Sequence, residues 1–273
     1  MTDPRDAAAR WLARGVPATV IDVTQARGSV PRGVGTRMLV GADDCVGTLG
    51  GGHLEWKAIE QARALLAGAT DVPAVAHYPL GPALGQCCGG AVTLRFAPLD
   101  AATLAAWPVE PAWFHLQLHG AGHVGRAIVR ALAPLRVRVD WIDARDDEFA
   151  AAADLLARPM AASVARCCTD GADGEVASAP PGACFLVLTH RHDLDLAITE
   201  AVLRRADFAW LGLIGSRTKR QRFAHRLAER GIEPALIERI TCPIGVAGIE
   251  GQQPEVIAAA VVAQLLQVAG PRR

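Results

Sequence analysis

The residues with the most chemical capacity lie on glycine-rich stretches. Gly85-Gln-Cys-Cys-Gly-Gly90 places Cys87 and Cys88 beside Gln86 and between glycines. Such a segment is irregular and accessible, and nearby backbone N–H groups lower a thiol's pKa. A soft thiolate there ligates a soft metal centre or carries sulfur, or else the pair is inert packing. Cys167-Cys168 lacks glycine flanks and reads as packing. Gly120-Ala-Gly122-His-Val-Gly125, with His123 inside it, is a G-x-G-x-x-G pattern. Its first glycine permits a tight turn, the second lets a phosphate approach the backbone, and the third brings helix close to strand. Asp143 follows 18 residues after Gly125, where a ribose-reading carboxylate belongs. Thr189-His-Arg-His-Asp-Leu-Asp195 presents His190 and His192 to a ligand, or else it is a helix start capped by Asp193. Gly212-Leu-Ile-Gly-Ser216 brings Ser216 and Arg217 to the same edge as phosphate contacts, unless it is an ordinary strand-to-helix turn. Two further loops, Gly28-Ser-Val-Pro-Arg-Gly-Val-Gly35 and Thr48-Leu-Gly-Gly-Gly-His-Leu-Glu55, offer Gly51, Gly52 and His53 at the head of a helix, an anion-binding geometry. Arg32 and Arg37 add phosphate donors there.

The elements that must position these loops are legible in the pattern. A short helix over the first residues, ending at Gly15, precedes a β-branched strand over 17–25 and a hairpin of 36–40 with 45–48. A helix over 54–66 and strands over 75–80 and 91–96 complete a small α+β unit. Pro98, Pro108 and Pro111 mark a linker over 100–111. Beyond it, strands over 114–119, 137–142, 184–188 and 210–214 alternate with helices over 124–132, 193–204 and 216–230, and a last helix spans 254–268. Apolar strands alternating with helices predict a parallel, doubly wound sheet. The predicted architecture is therefore α/β: a small N-terminal α+β domain over 1–107, then a Rossmann-like doubly wound parallel-sheet domain over 108–273.

Composition narrows the function. In 273 residues, 28 Lys+Arg balance 28 Asp+Glu, which leaves no basic surplus for a nucleic-acid or acidic-membrane partner. Only Lys57 and Lys219 are lysines, so Schiff-base chemistry has almost no candidates. The seven cysteines contain no C-x-x-C, which predicts reduced thiols and no structural zinc. The charged opening MTDPRDAAARWLARG has no apolar signal-sequence core. The longest uncharged apolar stretch, 256–269, is too short to span a bilayer. A cytoplasmic protein without a membrane partner is expected.

Six segments in order, GSVPRGVGTRMLV (28–40), GTLGGGHLEWKAIE (47–60), GQCCGG (85–90), HGAGHVGRA (119–127), THRHDLD (189–195) and GLIGSRTKR (212–220), resemble the xanthine dehydrogenase accessory protein family, XdhC, related to CoxI. His53 is similar to the xanthine-dehydrogenase branch, since CoxI-like members often have cysteine there. Gly33-Val34 stands where relatives often carry an acidic and a small residue, and Gly251-Gln-Gln-Pro-Glu255 replaces a more usual Thr-Pro-Glu-Glu start. The resemblance implies a chaperone for molybdenum cofactor (molybdopterin) in purine catabolism. Such a chaperone protects the sulfurated form and delivers it to apo xanthine dehydrogenase. The implied partners include a cysteine desulfurase, molybdenum cofactor biosynthesis proteins and a second copy of the chain. The expected cofactor contacts are Gly51, Gly52, His53, Gln86, Cys87, Cys88, Gly120, Gly122, His123, Gly125, Asp143, His190, His192, Ser216 and Arg217. Cys87 and Cys88 are placed nearest the metal, and no catalytic residue is assigned. An NAD(P)-dependent oxidoreductase is the alternative; it rests on the Gly120–Gly125 loop and Asp143 alone and lacks an identifiable proton donor. A protein–protein adaptor with a vestigial Rossmann fold is the third reading.

Overall fold

The computed structural model describes residues 3–80 and 89–271. The chain forms two compact units, one ending at Glu110 and the other beginning at Pro111.

In the first unit, helix α1 (Pro4–Ala13) starts where Asp3 accepts the Arg5 N–H at 2.8 Å and Pro4 fixes the first turn. Strands β1 (Thr19–Arg27), β2 (Arg37–Val40), β3 (Cys45–Val46), β4 (Val75–Pro79) and β5 (Ala91–Pro98) form an antiparallel sheet of order β3-β2-β1-β5-β4. Because side chains alternate across a strand, β1 feeds two cores. Ile21 and Val23 join Met38, Leu94 and the inner face of helix α2 (Gly52–Leu66), while Val20 joins Leu39, Ala7, Ala8 and Trp107 on the opposite side. The proline-marked linker is partly regular. Asp100 caps a short helix, α3 (Ala101–Ala105), which the proline pattern concealed.

The second unit is a six-stranded parallel sheet. Its strands are β6 (His115–His119), β7 (Arg138–Asp143), β8 (Ser163–Cys168), β9 (Cys184–Val187), β10 (Trp210–Leu213) and β11 (Ile240–Thr241), in the order β11-β10-β9-β6-β7-β8. This is the doubly wound arrangement in which strand order reverses beside the first strand, here between β6 and β9. Helix α4 (His123–Leu132) and helix α10 (Pro254–Ala269) bury Ile128, Leu132, Val261 and Leu265 against Leu116, Leu118, Trp141 and Leu186. Helix α7 (His192–Arg205) and helix α8 (Arg217–Glu229) bury Ile198, Val202 and Phe223 against Phe185, Val187 and Leu213 on the other face. Both faces being covered explains the unbroken apolar runs of β9 and β10. Short helices α5 (Asp146–Ala150), α6 (Ala153–Leu156) and α9 (Pro234–Glu238) fill the crossovers. Among the described residues no helix is long and apolar enough to cross a membrane.

Further features depart from the sequence expectation besides α3 and the short crossover helices. Strand β8 lies at an edge and is largely exposed, so its Ser-Val-Ala-Arg-Cys-Cys run carries no apolar signal. Strand β11 has two residues, too few for any periodicity. Asp193 is not the cap of α7: Arg191 holds the N-cap position, and Asp193 pairs with it from inside the first turn.

Candidate functional site

In the second unit the glycine loop runs from the end of β6 into α4, at the reversal point of the sheet. Each glycine has a separate structural reason. Gly120 has φ +125°, and a Cβ there would lie 2.4 Å from the Leu188 carbonyl oxygen at the end of β9. A Cβ on Gly125 would lie 2.1 Å from the Gly120 oxygen, so this glycine sets how closely α4 approaches the loop. Gly122, the N-cap of α4, faces open space: nothing lies within 4 Å of a Cβ built there. A helix N-terminus with no side chain over it is the place where a phosphate can meet backbone N–H groups. Trp141 supports the loop from beneath, donating its indole N–H to the Gly120 oxygen at 3.0 Å while its ring packs edge-on to Phe149.

Asp143 closes β7 beside this loop and is almost fully buried. Its carboxylate accepts the Ala121 N–H at 2.7 Å, the Arg145 N–H at 3.0 Å, and both Nε and Nη2 of Arg145. Burial pushes its pKa up, but the Arg145 and Ala121 hydrogen bonds outweigh burial and hold the carboxyl below its usual range. Arg145 also binds Glu148, and Glu148 binds Arg126, which returns to the Ala121 carbonyl at 3.1 Å. Both oxygens of the expected ribose reader are thus engaged by its own chain. Asp143 ties the loop to the strand.

A second carboxylate does the same at the ends of β9 and β10. Asp195, 1% exposed, accepts the Thr189 N–H and hydroxyl on one oxygen and the Lys219 ammonium at 2.6 Å on the other. Lys219 also donates to the Ile214 carbonyl, and Ser216 caps α8 by accepting the Lys219 N–H. Thr189 and Ser216 are therefore brought to one edge, while His190, His192, Arg217 and, at the glycine loop, His123 are exposed.

The core just before the loop holds a buried polar chain. His119 is fully buried; its Nε2 lies 3.1 Å from Gln117 Oε1, and Gln117 donates to the Glu175 carbonyl and Ser178. Burial pushes the His119 pKa down to about 3, so the ring is neutral.

In the first unit the glycine-rich loop after β1 lies beside the triple-glycine loop and beside Gly90, just ahead of β5. A Cβ at Gly50 would strike Pro31 at 2.3 Å, and one at Gly90 would strike the Ser29 and Arg27 carbonyls at 2.4 and 2.5 Å. The loop after β1 thus packs against the triple-glycine loop and against Gly90. Glu55 Oε2 accepts from the Thr48 hydroxyl, the Leu49 N–H and the Gly51 N–H. Of the positions Gly51, Gly52 and His53 read from sequence as an anion cradle, the Gly51 N–H is thus taken by this carboxylate. Gly52 begins α2, and His53, exposed, stacks on Trp56 with ring centroids 5.6 Å apart. Arg37 turns away from the loops, pairing with Asp22 at 3.4 Å and lying over Trp107. Gln86, Cys87 and Cys88 lie outside the described residues; the end of their loop is Gly89-Gly90. Among the described residues no cluster of three or more His, Cys, Asp or Glu is placed to hold a metal.

Sequence reasoning missed Glu55, Arg145 and the Lys219–Asp195 pair. Each carried a signal. Glu55 closes the triple-glycine motif, Arg145 follows the ribose position by two, and Lys219 is one of two lysines in an arginine-rich chain.

Residues 116–265 match the family model of the XdhC Rossmann domain, and residues 11–79 match that of the XdhC and CoxI family. The chain belongs to the XdhC and CoxI family. Its glycine crevice lies wholly within the first of these matches and the triple-glycine loop within the second. Among curated proteins, this family member is 32% identical over 269 residues to the uncharacterized protein YqeB of Escherichia coli K12. That match takes in 96% of this chain and 45% of the relative, so the chain spans about half the length of the curated relative it matches. A solved structure described as a xanthine dehydrogenase from Bacillus halodurans superposes with a TM-score of 0.74 at 18% identity, covering 100% of this chain and 97% of that one. At that identity the likeness is one of fold.

Proposed function

We propose that this XdhC-family protein is an accessory protein of a xanthine dehydrogenase: it binds molybdenum cofactor, shields its sulfurated form and hands it to the apo-enzyme. The observation that carries this reading is the pair of family matches, which between them contain the crevice and the triple-glycine loop. The cofactor is cargo, and the site suits its phosphate. Gly122 leaves the α4 N-terminus open over more than 4 Å, with backbone N–H groups and the helix dipole favouring an anion. Gly120, Trp141 and Asp143 hold that end rigid, so little ordering is required on binding. Cys87 and Cys88 are the proposed contacts to molybdenum or carriers of its sulfur. A cysteine desulfurase and molybdenum cofactor biosynthesis proteins are the proposed suppliers, and purine catabolism in the cytoplasm the proposed setting.

A nicotinamide cofactor fits less well. A ribose needs a free carboxylate at the end of β7, and both Asp143 oxygens are already engaged. The test is anaerobic incubation with molybdenum cofactor, gel filtration, and assay of molybdenum and pterin in the protein peak, alongside calorimetry with NAD. Co-elution near one cofactor per chain supports the reading. Tight NAD binding with no retained pterin overturns it.

A further inference from the structure

The flank of the Rossmann-like unit carries a cavity that the glycine crevice does not use. It encloses about 550 Å³ and is lined by His192, Lys219, Arg222, Phe223, His225 and Arg226, with no carboxylate among them. It belongs to the α7–α8 face of the sheet, whereas α4 packs on the other face.

Helix α8 is charged beyond what its fold needs. It holds Arg217, Lys219, Arg220, Arg222 and Arg226 against the single acid Glu229, in a chain whose charges balance. Its first turn has no acidic residue, although the positive end of a helix dipole favours one. Two of the cations are used internally: Lys219 by Asp195 and the Ile214 carbonyl, Arg220 by the Ile240 carbonyl. Glu229 lies 3.3 Å from His225. Arg222 and Arg226 have no hydrogen-bond or ion-pair partner among the described residues. They stand one turn apart on one face, where like charges destabilise a helix. Unbalanced cations around a concave surface concentrate positive potential inside it.

We infer that this cavity binds a small organic anion carrying two adjacent phosphates. A guanidinium fork donates paired hydrogen bonds to phosphate oxygens, and two forks from successive turns clamp two neighbouring phosphates. The volume falls within the range of about 300–1,000 Å³ typical of small-molecule sites. Buried Phe223 forms an apolar floor, and Lys219, neutralised by Asp195, contributes its stem and leaves the net charge to the arginines. His192 of its lining is also among the cofactor contacts expected from sequence, but Arg222 and Arg226, which define the site, are not.

Calorimetry on the full chain with inorganic pyrophosphate and with ADP tests it. Both probes bind the parent, more weakly as salt is raised, and Arg222→Gln with Arg226→Gln together weakens both by about tenfold or more. These two residues are exposed, so the double variant keeps its fold and its retention of molybdenum cofactor. Gly122→Val, in the glycine loop, keeps the part of this binding that depends on Arg222 and Arg226. The inference fails if neither probe binds the parent at low salt, or if the double variant binds them equally well. It also fails if Gly122→Val alone abolishes binding, which moves the diphosphate to the glycine crevice. Tighter binding of a short polyglutamate peptide than of either probe overturns it too, by assigning the surface to an acidic protein partner.

Discussion

Gly122 and Gly125 sit three residues apart and answer opposite demands. The first has open space where a Cβ would go; the second has a backbone oxygen 2.1 Å away. Gly122→Val is therefore expected to stay folded, at a cost of about 1 kcal/mol or less for a changed N-cap, and to lose cofactor retention. Gly125→Ala forces α4 off the loop and is expected to lower stability by about 3 kcal/mol or more, read as a shift of the denaturant midpoint. The motif in the sequence already gives the two positions different roles, phosphate approach at Gly122 and close helix packing at Gly125, and the structure supplies what faces each Cα. The thiols make a second prediction at this scale. Replacing Cys87 and Cys88 by Ser removes soft ligands at nearly constant size and is expected to impair activation of apo xanthine dehydrogenase under limiting cofactor, while Cys167→Ser with Cys168→Ser stays near the parent. Equal activation by the first pair would show that its thiols only pack. His119 supplies a pH dependence. Its pKa is about 3 in the folded protein and about 6.5 when unfolded, so the unfolded chain binds the extra proton first. Stability is complete above about pH 6.5 and falls by about 1.4 kcal/mol per unit as the pH drops toward the folded value. His119→Gln is expected to flatten that slope in urea titrations between about pH 6 and 4. Asp143, with its pKa lowered, loses its contribution only below about pH 4.

Elements here are joined at their ends by carboxylates. Glu55 gathers the N–H groups of the triple-glycine loop, Asp143 those of the β6–α4 loop, and Asp195 the start of the β9–α7 loop together with Lys219. Removing one partner of the Asp195–Lys219 pair strands a buried charge. Asp195→Asn is accordingly expected to cost about 3–5 kcal/mol, measured by equilibrium unfolding, with hydrogen exchange rising first in residues 189–191. The strands and helices that bear these loops were readable because apolar runs and caps are local properties. The phase of β6, β7, β9 and β10 was visible in sequence, as were Pro254 and Ser216 at helix starts. The carboxylate ties were not, because Asp143 and Ala121 are distant in sequence and only the parallel pairing of β6 with β7 brings them together. Edge strand β8 escaped for a related reason: with little buried, it has no pattern to show.

The whole molecule is two bodies with separate cores. One set of buried side chains closes within residues 7–107 and the other within 114–265. Residues 1–110 and 111–273 are therefore expected to fold as separate polypeptides, each melting cooperatively in calorimetry; a unit that remains unfolded alone would show that its core needs the other. Within the second body, β6 pairs with β9 through Leu116 and Cys184, across the whole of β7, β8 and their helices. The Leu188 carbonyl that shapes Gly120 comes from that distant strand. A ribosome adding about 5–20 residues per second makes Cys184 roughly 3–14 s after Leu116. From the time β7 is made until β9 follows, β6 has β7 on one side and an open hydrogen-bonding edge on the other, the kind of edge that invites pairing with a second nascent chain. The Gly120–Gly125 loop thus stands without its far wall until the chain has passed residue 188, and the waiting edge of β6 is the place where a nascent chain is open to aggregation.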